Sequence, residues 1–197
     1  MNETIQTIIK RRSIRSYEAK QIPDVQLQII LECAQYAPSG GNNQYVRFLV
    51  IQNAETLNLL NILIREEYAS REIIEGEYTN KTVLSARKPN YQFMYGAPTL
   101  ITALGPRNYC NGMADSANAL QNIQLAATSL GLGACWINQP HWLTGLTLLR
   151  NVFEQLGMRN DEDIFGSVAV GYPAGIIQSD GKRVTGRILL DNPRILS

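Results

Sequence analysis

The chain has 197 residues, of which 45% are apolar and 18% are charged, a composition that suits one compact domain with a buried core. Its 18 basic and 17 acidic residues nearly cancel, whereas a general nucleic-acid-binding protein would carry a large positive charge. We therefore expect the basic residues to form local sites and not a general electrostatic field.

Cysteine, histidine and apolar-run patterns argue against several further classes of protein. The three cysteines lack CxxC spacing and His141 is the only histidine, so neither a disulfide framework nor a metal site is expected. The first residues do not resemble a signal peptide, and no window approaches the roughly 20 apolar residues of a membrane-spanning helix. We expect a soluble, cytoplasmic protein.

Apolar spacing predicts helices that alternate with short strands. Helices are predicted around Ile5–Ile9, after Pro23, from Ala54 to about Ile74, over Met113–Leu130 and over Leu143–Leu156. Strands are predicted over Arg47–Asn53, Ala97–Leu104, Gly133–Ile137 and Ile164–Gly171. The stretch from Glu75 to Tyr95 is predicted to be irregular. Because two helices precede the first strand, an α+β layered sandwich fits this order better than a doubly wound sheet.

The long predicted helix over Met113–Leu130 has small and apolar residues around most of its circumference. A helix of this kind is either buried in the centre of a monomer or shared with a partner subunit. Gly131 follows its last apolar residue and is predicted to end it.

Three common catalytic or nucleotide-binding motifs do not fit this chain. Gly131-Leu132-Gly133 lacks the third glycine of GxGxxG and follows a helix, whereas the dinucleotide fingerprint needs a preceding strand. No GxxxxGK[ST] phosphate loop occurs. His141 has no GxSxG motif to serve, so acyl-transfer hydrolysis is not indicated.

Two segments carry ligand-binding chemistry. Arg11, Arg12 and Arg15 could be the solvated end of a helix, but the interleaved Ser13 adds a neutral donor of the kind that accompanies arginine in phosphate sites. The loop of residues 37–44 could be an ordinary turn, yet its hydroxyl, amide and glycine residues also suit a polyol chain. A ligand that has a phosphate, then a polyol chain and then a flat ring would be flavin mononucleotide, FMN.

Four motifs in order resemble the nitroreductase family of FMN-dependent oxidoreductases. They are RRSIRSY (residues 11–17), APSGGNNQ (37–44), DSANALQNIQLAATSLGLGACW (115–136) and GYP (171–173). The resemblance implies an α/β/α sandwich with a central, mainly antiparallel sheet and an intertwined homodimer. It also implies that residues 1–197 form one domain whose C-terminal tail, about 174–197, packs on the partner subunit.

The resemblance assigns cofactor-binding roles to the opening motif. Arg11, Arg12, Ser13 and Arg15 would grip FMN, with Arg11 at the phosphate and Arg15 near N1 and O2 of the ring. A cation at that edge would stabilise the negative charge of the reduced ring.

The remaining contacts implied by the resemblance come from four other segments. Pro38, Ser39, Asn42 and Gln44 would approach FMN from the other subunit. Asn90 would bond the pyrimidine edge, and the backbone of Ile137, Asn138 and Gln139 would face flavin N5 and O4. Lys182 and Arg183 would join the phosphate site, with Arg187 as the alternative. Asn138 stands where many members have glutamate, and Gln44-Tyr45-Val46 departs from the common Gln-Pro-Trp.

The implied activity is reduction of nitroaromatics, quinones or similar electron-poor acceptors by NAD(P)H, through ping-pong hydride transfer at flavin N5. No catalytic side chain is expected, because the cofactor performs this chemistry. Two alternatives stay open: an FMN-binding dimer with a sensing or storage role, and a specialised flavin enzyme of the dehalogenase or flavin-fragmenting type.

Overall fold

The computed structural model describes residues 1–175 and 181–189. The helices in these ranges are α1 (Glu3–Lys10), α2 (Asp24–Gln35), α3 (Ala54–Ser70), α4 (Asn80–Ala86), α5 (Gly112–Ser129), α6 (Gln139–Trp142) and α7 (Thr147–Gln155). The strands are β1 (Arg47–Ile51), β2 (Thr99–Pro106), β3 (Gly133–Ile137) and β4 (Glu162–Gly171). In the described part of the chain, no helix combines the length and the apolar character needed to cross a membrane.

The four strands form one sheet in the order β1-β2-β4-β3, and each neighbouring pair is antiparallel. Alternate residues of a strand point to opposite faces. In β2, Leu100 and Leu104 therefore join one core, with α3, α4 and α7, while Ile101 and Ala103 join a second core with α2 and α5. Helices thus cover both faces, and the predicted α/β/α sandwich with an antiparallel sheet is confirmed.

Helix α5 is the central helix of the second core. Leu120, Ile123 and Ala127 are fully buried between the sheet and α2. The helix ends in a Schellman motif, in which the Leu132 N–H donates to the Ala127 carbonyl over 2.8 Å. Gly131 takes the left-handed conformation, with φ of 74°, that this motif requires.

The structure corrects the predicted boundaries around α3 and α4. Helix α3 ends at Ser70, four residues earlier than predicted, where the Arg87 side chain binds the carbonyl groups of Ala69 and Arg71. The stretch predicted to be irregular contains α4, whose seven residues bury only Val83 and Ala86. So short an apolar face gives no recognisable period.

Two further elements differ from their predictions. Strand β2 begins at Thr99, directly after Pro98, two residues later than predicted, and extends to Pro106. The helix predicted over 143–156 corresponds to α7, which begins only at Thr147. The short α6 precedes it. The predicted tail of residues 174–197 falls partly outside the described residues, which omit 176–180 and 190–197.

Candidate functional site

The segment RRSIRSY, residues 11–17, runs beside the edge strand β3. Ser13 forms a parallel bridge with Ala134, and the Ile14 N–H donates to the Ala134 carbonyl over 3.0 Å. The buried Ile14 packs against Gly133, where an added Cβ would lie 2.9 Å from the Ile14 side chain. Glycine at 133 therefore allows the segment to approach the sheet. With Ile14 anchored in this way, the side chain of Arg15 is exposed.

The thiol of Cys135 lies close to the same segment. Burial raises the pKa of Cys135, while the nearby Arg15, Ser13 and Arg11 act in the opposite direction. The Tyr17 hydroxyl, 2.8 Å from the carbonyl of Ile14, fixes the end of the segment. Burial also raises the pKa of Tyr17, which keeps its hydroxyl neutral.

Arg12 connects the opening segment to the C-terminal tail. Its Nη1 donates to the carbonyl groups of Ile9, over 2.6 Å, and Arg11, over 2.8 Å. Its Nε is buried and has no hydrogen-bond partner among the described residues. Gly181 packs so closely against the same guanidinium group that a Cβ added at this position would collide with it. This contact brings the Gly181–Arg183 segment to the predicted phosphate site, whereas no contact of Arg187 with that site is described.

Arg15 borders two adjoining pockets of about 540 and 530 Å³, which together we call the Arg15 cleft. The residues that line both pockets are Arg15, Lys81, Thr82, Tyr95 and Gln139. Asn90 lines the first pocket, and the Arg15 guanidinium carbon lies 5.9 Å from the centre of the Tyr95 ring. The structure therefore brings Arg15, Asn90 and Gln139, three predicted site residues, to one cleft.

The end of β3 forms another wall of the cleft. Ile137 is buried in the core, and Asn138 and Gln139 follow it at the start of α6. The Asn138 side chain accepts a hydrogen bond from the Trp136 indole, so the side chain is held back along β3. Asn138 and Gln139 line the second pocket of the cleft.

Tyr91 lies beside Gln139 in the first pocket. Its hydroxyl is buried without a well-aligned hydrogen-bond partner among residues 1–175 and 181–189. Burial raises the pKa of Tyr91 to about 12, and the nearby Gln139 side chain lowers it in part. The hydroxyl is therefore neutral and lies beside the Gln139 side chain.

The loop of residues 38–44 lies away from the Arg15 cleft. Pro38, Ser39 and Gln44 line a separate pocket of about 210 Å³, next to Phe48 and Ala119 of the second core. The Arg15 cleft is instead lined by residues that pack on the first core, such as Tyr91 and Tyr95. The loop pocket and the first pocket of the Arg15 cleft thus lie against different cores of the sheet, while Trp136 of the second pocket packs on the second core.

Internal hydrogen bonds give this loop its shape. Ser39 Oγ accepts from the Gln44 N–H over 3.1 Å, and the Gln44 side chain donates to Asn42 Oδ1 over 3.0 Å. Asn42 and Gln44 both have positive φ values, 55° and 53°, which non-glycine residues seldom adopt. A strained loop of this kind needs support from its surroundings.

Sequence reasoning missed the support of the loop, which comes from Asp115 and Tyr109. The buried Asp115 carboxylate accepts from the Gly40 N–H over 3.1 and 3.2 Å and from the Tyr109 hydroxyl over 2.9 Å. Asp115 stands in the first turn of α5, where acidic residues are usually exposed. Its position in the sequence therefore gives no sign of burial.

Sequence reasoning also missed several residues of the cleft. Lys81, Lys88 and Tyr78 belong to the stretch predicted as irregular: the lysines line the first pocket and Tyr78 lines the second. There the Tyr78 ring meets that of Trp142, from α6, edge to face at 5.9 Å. The only indication in the sequence was the many aromatic and basic residues in 78–95. Because α4 was not recognised, these residues could not be assigned to the cleft.

Among the described residues, the cleft offers cations, amides and aromatic rings but no histidine that could serve as a base. The single His141 has a structural contact, with Nδ1 2.6 Å from the carbonyl of Ile164. Since a carbonyl only accepts, Nδ1 carries the proton in this contact. The described residues contain no group of three or more potential metal ligands. The arrangement can bind and orient an anionic, flat molecule.

Comparison with known proteins agrees with the fold. Residues 8–172 match the model of the nitroreductase family. A nitroreductase with bound FMN from Bacteroides fragilis has 33% identity and a TM-score of 0.88, covering 98% of this chain and 100% of that one. A second, also with bound FMN, from Desulfitobacterium hafniense, has 26% identity and a TM-score of 0.84, with coverage of 98% and 100%. An NADPH-flavin oxidoreductase of Vibrio harveyi is 30% identical over 182 residues, which are 88% of this chain and 67% of that protein. The chain belongs to the nitroreductase family.

Proposed function

We propose that the protein is an FMN-dependent oxidoreductase that acts as a homodimer and uses NAD(P)H to reduce electron-poor acceptors such as nitroaromatics and quinones. The observation that carries this proposal is the convergence of Arg15, Asn90 and Gln139 on one cleft at the end of β3. Relatives described as nitroreductases with bound FMN and as an NADPH-flavin oxidoreductase support the cofactor and the electron donor.

The residues around Arg12 fit the phosphate of FMN. The buried Nε of Arg12 lacks a partner among the described residues, and a phosphate oxygen is the acceptor that would satisfy it. Arg11 and Ser13 stand on either side of Arg12, and Gly181, which lies against Arg12, directly precedes Lys182 and Arg183 in the sequence. These groups would hold the phosphate through charge-assisted hydrogen bonds.

The Arg15 cleft fits the ring. FMN, when bound, takes two electrons as a hydride from a nicotinamide and gives them to the acceptor. Arg15 would hold a positive charge at the pyrimidine edge, and Asn90 would supply an amide there. The backbone of Ile137, Asn138 and Gln139 would present N–H groups along the other edge, and the wall of aromatic residues would limit access of water.

Two features of the single chain support the proposed homodimer. Pro38, Ser39 and Gln44 line a pocket against the second core that is separate from the Arg15 cleft, so the loop would reach the cofactor from a second subunit. Helix α1 presents an apolar stripe of Ile5, Ile8 and Ile9 that is 45, 52 and 53% exposed, and the helix buries no residue. Such a stripe is typical of a surface that a partner covers.

The test is to purify the protein, extract its cofactor and then mix the holoprotein anaerobically with NADH or NADPH. We expect a yellow dimer that releases FMN, identified by mass spectrometry, and a flavin absorbance that bleaches with at least one nicotinamide. Stoichiometric FAD, or no flavin, would contradict the cofactor assignment. Bleaching by dithionite alone would contradict the NAD(P)H-dependent activity and favour a binding role.

A further inference from the structure

The face of α4 that borders the Arg15 cleft is basic. Lys81, Ser85 and Lys88 are spaced by four and three residues, so they lie on one side of the helix and of the turn that continues it. The Lys88 N–H donates to the Ser85 carbonyl over 3.0 Å, which extends the helical path to Lys88. All three residues line the first pocket, whereas Val83 and Ala86 of the other side are buried in the core.

The positive charge of this pocket is not neutralised within the described chain. Arg15, Lys81 and Lys88 line the pocket, and among the described residues none that lines it is acidic. In residues 1–175 and 181–189, none of these three cations forms an ion pair with a carboxylate. Glu77 lines only the second pocket. Like charges that share one pocket repel, and an anion bound between them would relieve that repulsion.

Arg15 and the two lysines serve different parts of this site. Arg15 lines both pockets and approaches the Tyr95 ring, in the position proposed above for the pyrimidine edge of FMN. Lys81 and Lys88 are exposed and line the cleft, apart from the residues around Arg12 that are proposed above for the phosphate of FMN. An anion bound by these two lysines would therefore be part of a molecule that enters the cleft from solvent.

We propose that Lys81, Ser85 and Lys88 form an anion subsite that binds the 2′-phosphate of NADPH and makes this enzyme prefer NADPH to NADH. The proposal rests on the function proposed above. At neutral pH a phosphomonoester carries nearly two negative charges and three acceptor oxygens, whereas NADH has a neutral hydroxyl at the same position. Two ammonium groups and one hydroxyl match the phosphate in charge and in hydrogen bonding.

The test uses the FMN-loaded dimer and four forms of the protein: wild type, Lys81→Gln, Lys88→Gln and the double variant. Arg65→Gln is the matched control, because Arg65 is an exposed cation on α3 that does not line the cleft. Anaerobic stopped-flow measurement gives the rate of flavin reduction by NADPH and by NADH at low and high ionic strength. Binding of NADP⁺ and NAD⁺ to the oxidised protein, followed by the change in flavin absorbance, gives a readout that does not depend on turnover.

We expect the wild type to bind NADP⁺ roughly three- to tenfold more tightly than NAD⁺ at low ionic strength, which is the scale of two exposed ion pairs. The preference should shrink with added salt and disappear in the double variant. The affinity for NAD⁺ should change little in the lysine variants, and Arg65→Gln should have the same nucleotide affinities as the wild type.

Equal binding of the two nucleotides by the wild type, or a preference that survives in the double variant, would overturn the proposal. Reoxidation by 4-nitrobenzoate and by uncharged 4-nitrobenzyl alcohol tests the other source of an anion. If the double variant loses only a preference for the carboxylated acceptor, the assignment to the donor phosphate is wrong. If neither nucleotide reduces the flavin, the proposed function fails, and the binding comparison still decides the subsite.

Discussion

The hydrogen bonds of Asp115 should be a main support of the loop of residues 38–44. Asp115→Ala removes the acceptor of the Gly40 N–H, at 3.1 and 3.2 Å, and of the Tyr109 hydroxyl, at 2.9 Å. A hydrogen bond to a charged group contributes about 1.5 to 3 kcal/mol. The half-buried Gly40 N–H would lose its partner, whereas the Tyr109 hydroxyl could bond water. We therefore expect the free energy of unfolding to fall by about 2 to 3 kcal/mol.

For a chain of this length that loss corresponds to a fall in Tm of about 4 to 12 °C, which calorimetry of the FMN-free protein can measure. Asp115→Asn keeps one acceptor for Gly40 and should cost only about 1 kcal/mol. In FMN titrations, Asp115→Ala should also weaken binding more than Asp115→Asn does, because the loop is proposed to contact the cofactor of the other subunit.

The control is Asp24→Ala, which removes an exposed aspartate from the first turn of α2 and should cost about 0.3 to 1 kcal/mol. Equal Tm values for Asp115→Ala and Asp24→Ala would refute the reasoning, since Asp115 would then act only through the helix dipole. An unchanged FMN affinity in Asp115→Ala would contradict the proposed contact between the loop and the cofactor.

Three other predictions concern the cofactor site and the thiols. Arg15→Ala should lower the two-electron potential of bound FMN by about 20 to 40 mV, the equivalent of roughly 1 to 2 kcal/mol of lost stabilisation of the reduced form, and Arg15→Lys should recover much of it in dye-coupled titrations. Arg183→Ala should weaken FMN binding in titrations more than Arg187→Ala, and equal losses would show that the tail residue is misassigned. Because burial raises the pKa of Cys135, iodoacetamide at pH 8 should alkylate the exposed Cys110 and leave Cys135 intact by mass spectrometry, and rapid alkylation of Cys135 would contradict its burial.

The layered fold was predictable because its strongest signals are local. The apolar runs that became β1 and β3 and the long α5 lie within two residues of their predicted bounds. Helix α4 was missed because a helix of seven residues with two buried side chains lacks a measurable period. At the early end of α3, Arg87 binds residues that lie 16 and 18 positions before it, and no local pattern contains such a contact.

The candidate site was predictable only where its residues form a motif. Arg11 to Arg15 and the loop of residues 38–44 were recognised from short patterns, and Asn90 from its distance to Ala97. Lys81 and Lys88 came to the cleft through the position of α4, which the sequence did not predict. Asp115 was within a recognised motif, but its burial depends on how α5 packs against the loop.

The most direct test of the proposed site is a crystal structure of the purified protein with its cofactor. The proposal predicts FMN in a dimer, with the pyrimidine edge beside Arg15, the phosphate bound by Arg11 and Arg12, and the polyol in contact with the 38–44 loop of the second subunit. A flavin ring outside the Arg15 cleft, or a complete site formed by one chain alone, would contradict it.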